Sequence, residues 1–304
     1  MMKQPDMPES TAFQPEVLQL FDKYVHGLID RRGFLTNCAQ YTAGAAGAVA
    51  TLAALTPDFA RAQQVKPDDA GIKTDWIEIP SPSGYGKIKA YMARPAPESM
   101  KATKPLPVVL VVHENRGLNP HIEDIARRLA LENFIAIAPD ALTSLGGYPG
   151  DEDKARELFG KLDQTKTSAD FIAAAGYALK VEGGNGSLGV VGFCYGGGIA
   201  NMLATRIPEL KAAVPFYGAP PPLDAVPNIK AELLLNFAGN DQRINAMWPD
   251  YEAALKAASI RYHAFVYDGV EHGFNNDTTP RFNAEAAKLA WLRTLELFNR
   301  TLRG

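Results

Sequence analysis

From Thr74 onward the chain alternates short, β-rich apolar runs with longer stretches of helical periodicity, and nothing else in it constrains the fold so tightly. Pro107–His113 is a continuous apolar run of the kind a parallel sheet buries on both faces; Phe134–Ala138 and Leu188–Phe193 are similar. Thr74–Ile79 and Lys87–Arg94 read as an opening strand pair around the turn Ser83-Gly84-Tyr85-Gly86, and Ala212–Tyr217, Glu232–Phe237 and Arg261–Tyr267 as three later strands. Helical patterns fall at His121–Leu131, Glu152–Leu162, Ser168–Val181, Gly196–Arg206, Trp248–Ala258 and Asn283–Arg300, with a Gly-rich loop at Ser144–Gly150. Short connections between alternating strands and helices predict a mostly parallel central sheet flanked by helices, a three-layer αβα architecture. No repeat, low-complexity tract or Pro/Ser linker divides this part, so residues 63–304 are expected to form one domain.

The first 62 residues read differently. Asp30-Arg31-Arg32-Gly33-Phe34-Leu35-Thr36 precedes an Ala/Gly-rich apolar run from Ala39 to Leu55, and Ala60-Arg61-Ala62 has the small-residue pattern of a signal-peptidase site. A paired arginine, a moderately apolar segment and such a site resemble a twin-arginine export signal. The run is interrupted by Gly44 and Gly47 and falls short of the roughly 20 residues that cross a bilayer, which suits removal better than anchoring. The expectation is an exported, periplasmic protein cleaved after Ala62 with no permanent membrane anchor, or a cytoplasmic one if the signal is not functional. The alternative is an amphipathic N-terminal helix that stays on the protein.

Composition removes several classes of function. The 304 residues carry a net charge of −3 with no basic run, which offers nucleic acid no footprint. Two cysteines, Cys38 and Cys194, exclude a disulfide framework and a Cys-rich zinc site. His113-Glu114-Asn115-Arg116-Gly117 lacks the second histidine of a zinc-protease helix, so no metal and no cofactor is expected.

Gly192-Phe193-Cys194-Tyr195-Gly196 follows an apolar strand and opens a helix, the pattern of a nucleophile elbow with cysteine in place of serine. The turn strains the nucleophile's backbone and leaves no room for side chains two residues to either side. The helix start favours the thiolate. Such an elbow calls for an acid and then a histidine after later strands. Asp241, in Gly239-Asn240-Asp241-Gln242, and His272, in Glu271-His272-Gly273-Phe274, occupy those positions. Of the other histidines, His26 lies in the signal region, His113 ends a strand, His121 opens a helix, and His263 lies inside a regular element.

These motifs resemble the dienelactone hydrolase family of α/β-hydrolases, from about Trp76 to the C-terminal helix, through G-F-C-Y-G-G, G-N-D, E-H-G-F and H-E-N-R-G. The resemblance implies the α/β-hydrolase fold, Cys194 as nucleophile, His272 as base, Asp241 as the acid that orients it, and Glu114 as a glutamate that contacts the thiol and helps switch it on. The oxyanion of an ester substrate needs two N–H donors, and the Tyr195 and Asn115 backbone amides are the expected pair. Family members that open dienelactone hold its carboxylate with arginines, one of them four residues after the histidine, where this chain has Asn276. Arg116 and Arg156 are the candidates to replace that charge, and Tyr148, Tyr195 and Trp248 are candidates for the pocket rim.

The function expected is opening of a lactone or cleavage of a small ester through a thioester, by a chain favoured as a monomer. A broader carboxylesterase is the second enzyme reading, favoured by Asn276. A non-catalytic binding module that keeps the hydrolase shell is the third, opposed by the joint presence of Cys194, Asp241, His272 and Glu114.

Overall fold

A computed structural model describes residues 8–60, 63–97 and 104–303. Three helices come first: α1 (Pro15–Val25), α2 (Arg31–Cys38) and α3 (Gly44–Leu55). The strands β1 (Ile72–Ser81), β2 (Gly86–Pro95) and β3 (Leu106–Val112) follow, then α4 (Pro120–Leu131), β4 (Ile135–Pro139), α5 (Glu152–Phe159) and α6 (Gln164–Ala178). The chain continues through β5 (Gly184–Phe193), α7 (Tyr195–Arg206), β6 (Leu210–Phe216), β7 (Glu232–Ala238), α8 (Gln242–Asn245), α9 (Trp248–Ala257), β8 (Tyr262–Tyr267) and α10 (Ala284–Leu302).

The strands form one eight-stranded sheet in the order β1-β2-β4-β3-β5-β6-β7-β8. β2 runs antiparallel to β1 and β4, and the six strands from β4 to β8 are parallel. This is the α/β-hydrolase fold, and the alternation read in the sequence has a direct physical counterpart in β3. Val108, Leu110 and Val112 enter the core shared with Phe171 of α6 and Leu203 of α7. Val109 and Val111 enter the opposite core with Ile125 of α4 and Phe298 of α10. An unbroken apolar run is thus required because successive side chains face two different helical layers. Each such Val or Leu contributes about 1.5–3 kcal/mol on burial.

Helix starts are set locally. Asn119, Asp151, Asp163 and Asn283 each accept a backbone N–H of the helix they precede. Removing one such cap costs about 1 kcal/mol.

The N-terminal segment is folded. Val17, Leu18, Phe21 and Tyr24 line one face of α1 and bury themselves against Phe34, Cys38, Ala48, Leu52 and Leu55. Arg31 and Arg32 open α2, where Asp30 caps the helix by accepting the Gly33 N–H, and Arg31 pairs with Asp153 at 2.8 Å. The apolar stretch after them is not one helix: the segments Arg31–Tyr41 and Gly44–Leu55 meet at 114°, and among the described residues no single helix is long and apolar enough to cross a membrane. Arg61 and Ala62 of the expected cleavage pattern lie outside the described residues.

Candidate active site

β5 delivers Cys194 to the C-terminal edge of the sheet at φ 55°, ψ −111°, a strained conformation for a non-glycine residue. The flanking glycines are obligatory. A Cβ on Gly192 would lie 1.9 Å from the Gly196 carbonyl oxygen, and one on Gly196 would lie 2.2 Å from that of Val112. The Cys194 N–H donates to Phe216 O at 3.0 Å, which ties the turn to β6. α7 starts at the next residue, so its positive end faces the sulfur.

Asp241 follows β7 and caps α8. Its Oδ1 accepts the Ile244 N–H at 3.1 Å, and its Oδ2 lies 2.5 Å from Nδ1 of His272. His272 sits on the loop after β8, joined to the Asp241 loop by Asn240 N–H to Val270 O at 3.0 Å and Asn240 Nδ2 to Glu271 at 2.7 Å. The loop beyond is clamped to α4: Asp277 lies 3.1 Å from His121 and 2.5 Å from Arg128. Burial raises the Asp277 carboxyl, but the His121 hydrogen bond and the neighbouring charges outweigh it and hold it at about 2. His272 Nε2 is left on the side of Cys194 Sγ, within 4.8 Å, buried and with no hydrogen-bond partner among the described residues. Burial would push the Cys194 thiol up, yet the positive charges of His272 and His26 bring it down to about 5. Burial would likewise lower His272, but the thiolate and the Asp241 hydrogen bond raise it to about 10. The pair is therefore poised as thiolate and imidazolium.

His26 has no role in the sequence reading, yet its imidazole lies against the sulfur: Nε2 is 3.4 Å from Cys194 Sγ. Its ring meets that of His272 edge-on at 4.7 Å. Neither composition nor periodicity marks it; the Asp22–His26 i, i+4 spacing on an amphipathic helix is the single local signal.

Glu114 lies at the end of β3 in the same cavity as Cys194, but its described hydrogen bond comes from Asn276 Nδ2 at 2.9 Å, and none joins it to the thiol. Asn276 Oδ1 in turn accepts the Thr278 N–H at 3.1 Å and the Thr278 hydroxyl at 2.6 Å. Asn276 thus orients Glu114 where the family resemblance anticipates an arginine. Tyr195 and Asn115 line a common groove with Cys194, and among the described residues neither backbone N–H donates to another protein group.

The arginines are taken up by the N-terminal segment. Arg116 is buried, donates to Val25 O at 3.0 Å and to Asn115 O at 3.0 Å, and lies 3.6 Å from Glu152. Arg156 stacks on the Tyr24 ring at 4.2 Å and donates to Tyr24 O at 3.0 Å, outside the cavity lining. Tyr148 bonds Glu152 at 2.9 Å and meets Phe59, also outside that lining. Trp248 is displaced further, packed among Phe237, Tyr251 and Tyr262 because it begins α9 on the far side of α8. Arg281, unremarked in the sequence, lines the cavity with its Nε and Nη1 buried and unpartnered among the described residues, Nη1 at 4.0 Å from Asp22.

The chamber so formed has a volume of about 140 Å³ and is lined by Cys194, His272, Glu114, Asn276, Tyr24 and His26 among others. A second, more open groove of about 380 Å³ reaches the same sulfur past Tyr195, Ile199 and Ile244. His26 borders both.

Residues 88–302 match the profile of the dienelactone hydrolase family, and residues 6–44 match a profile described as YqhI-like. A protein of Escherichia coli K12 named "Putative carboxymethylenebutenolidase" is 36% identical over 247 residues, covering 76% of this chain and 88% of its own. The "Putative hydrolase fragment YghX" of the same organism is 50% identical over 118 residues, 39% of this chain and 97% of its own. The crystal structure of a "Putative Dienelactone Hydrolase" from Klebsiella pneumoniae superposes with a TM-score of 0.65 at 33% identity, covering 75% of this chain and 99% of that one. With the elbow, the acid and histidine loops and the sheet order already described, these likenesses make the chain a member of the dienelactone hydrolase family.

Proposed function

We propose that this chain is a cofactor-independent cysteine hydrolase that opens a lactone or cleaves a small ester through a thioester. The observation that carries the reading is the Cys194–His272 pair at the elbow, with Asp241 2.5 Å from the far nitrogen of the imidazole. The thiolate attacks the ester carbonyl, and the Tyr195 and Asn115 amides receive the oxyanion. As the acyl–oxygen bond breaks, His272 gives its proton to the departing alkoxide and a thioester remains. His272 then takes a proton from water, the hydroxide adds to the thioester carbonyl, and the thiolate leaves with release of the carboxylic acid. Asp241 keeps the imidazole in one tautomer and stabilises its charged form throughout.

The relatives named carboxymethylenebutenolidase support the lactone substrate. One observation favours a broader carboxylesterase: Asn276 is engaged with Glu114 and supplies no charge. Hydrolysis of cis-dienelactone and p-nitrophenyl acetate by the full chain, with Cys194→Ala beside it, separates these. Lactone turnover lost in the variant supports the first, turnover of the simple ester alone supports the second, and equal rates for variant and wild type refute the cysteine mechanism.

Export by a twin-arginine route is a separate proposal, supported by Arg31-Arg32 and the apolar α3, and removal of the segment on export would compete with a role for it in the folded enzyme. Fractionation of cells expressing wild type and an Arg31→Lys, Arg32→Lys variant tests it; an unchanged distribution sinks it.

A further inference from the structure

We propose that His26 is a second catalytic histidine, supplied by the YqhI-like N-terminal segment, which shares the proton of the Cys194 thiol and closes the chamber above it. The inference rests on the cysteine-hydrolase reading and adds to it a residue outside the dienelactone hydrolase match, which begins at residue 88.

The geometry repeats the logic of the Asp241–His272 pair. His26 Nδ1 lies 2.8 Å from the main-chain oxygen of Asp22 and 3.2 Å from its carboxylate, which fixes Nδ1 as the protonated nitrogen. Nε2, the basic nitrogen, is thereby turned to the sulfur at 3.4 Å. The side chain is 13% exposed, so the contact is largely shielded from water. Four groups face this imidazole: Asp22 from α1, Cys194 at the start of α7, His272 from the loop after β8, and Arg243 of α8, whose Nη2 lies 3.0 Å from Nε2. Arg243 is exposed, and when Nε2 takes a proton its guanidinium is free to turn to solvent. The thiolate and Asp22 raise the proton affinity of His26 against the opposing effect of burial. The proton leaving the thiol is then shared between Nε2 of His26 and Nε2 of His272, and it passes to the departing alkoxide from His272.

The segment is held over the site by specific bonds. Val25 O accepts from Asn115 Nδ2 at 2.8 Å and from Arg116 at 3.0 Å, the residue that carries the proposed oxyanion donor and the one after it. Tyr24 bonds Asp153 through its hydroxyl and Arg156 through its carbonyl, Arg31 pairs with Asp153, and Asp58 N–H donates to Thr278 O at 2.8 Å. The segment is therefore tied at its middle and near its C-terminal end to residues around the site. The proposal requires that residues 8–60 remain attached in the working enzyme.

The test compares full-length wild type, His26→Gln and Asp22→Asn, with Lys23→Ala on the exposed face of the same helix as a control. Two quantities are read: the midpoint of Cys194 ionisation from thiolate absorbance, and kcat on p-nitrophenyl acetate. In His26→Gln the midpoint is expected to rise by about one pH unit or more, and kcat to fall about tenfold to a hundredfold, up to the lower end of the range for an acid–base group because His272 remains. Asp22→Asn, which acts through His26, should move both in the same direction by less, and Lys23→Ala should move neither. An unchanged midpoint and unchanged or faster turnover in both His26→Gln and Asp22→Asn would overturn the proposal, leaving the segment a cover. So would recovery of a native chain that begins at Gln63. Failure of wild type to hydrolyse any ester defeats the hydrolase reading instead, while the ionisation midpoint still decides the placement of His26.

Discussion

The thiol of Cys194 offers the most direct measurement. With its ionisation lowered from the ordinary 9.0 to about 5, the sulfur is roughly nine-tenths thiolate at pH 6, whereas an unperturbed thiol is about one-thousandth ionised. That is about a 900-fold gain in the reactive form. Nucleophilicity falls with basicity by a factor of about 2.5–3 per unit, so a four-unit drop takes back about 40–100-fold. Iodoacetamide should therefore alkylate Cys194 at pH 6 roughly ten to twenty times faster than a small free thiol. The rate should rise with pH through a midpoint near 5 and then stay flat, because the ionised form is complete well below neutrality. His272→Gln removes the larger of the two imidazolium charges that oppose burial and should move the midpoint upward. Cys38 is buried in the N-terminal core, and a Cys38→Ala background leaves one reporting thiol. A wild-type midpoint above about 8 would refute the thiolate–imidazolium pair and the mechanism built on it.

Asp241→Asn should leave the fold intact and lower kcat by about 10⁴-fold, since the amide no longer fixes the His272 tautomer; steady-state kinetics with an unchanged melting curve checks it. Gly192→Ala should abolish soluble expression, because its methyl group would lie 1.9 Å from the Gly196 carbonyl oxygen within rigid backbone; a soluble, active variant would contradict the elbow geometry.

The parts of the site legible in the sequence are those governed by short stretches of chain. The strand before Cys194, the two glycines around it and the helix after it are contiguous, and the steric demand that selects glycine acts within five residues. Asp241 and His272 were readable for a related reason. Each follows a parallel strand, and parallel strands of one sheet bring their C-terminal ends to one edge whatever the intervening residues. The central strands were equally clear, because burial on both faces leaves an unbroken apolar run.

What lay beyond the sequence depends on contacts between distant segments whose composition permits more than one fate. An Ala/Gly-rich apolar stretch after two arginines has the composition of a signal, and it also buries well against α1 and α2 once they fold together. His26 meets Cys194 across 168 residues, Asn276 meets Glu114 across 162, and Arg116 and Arg156 bind main-chain oxygens of Val25 and Tyr24. Main-chain acceptors leave no trace in residue identity, so no pattern announces them. The strand ends and the elbow were determined by local sterics and by two-faced burial; the closure of the chamber was decided by tertiary packing alone, because the groups that close it share neither a helix, a strand nor a turn with the thiol they surround.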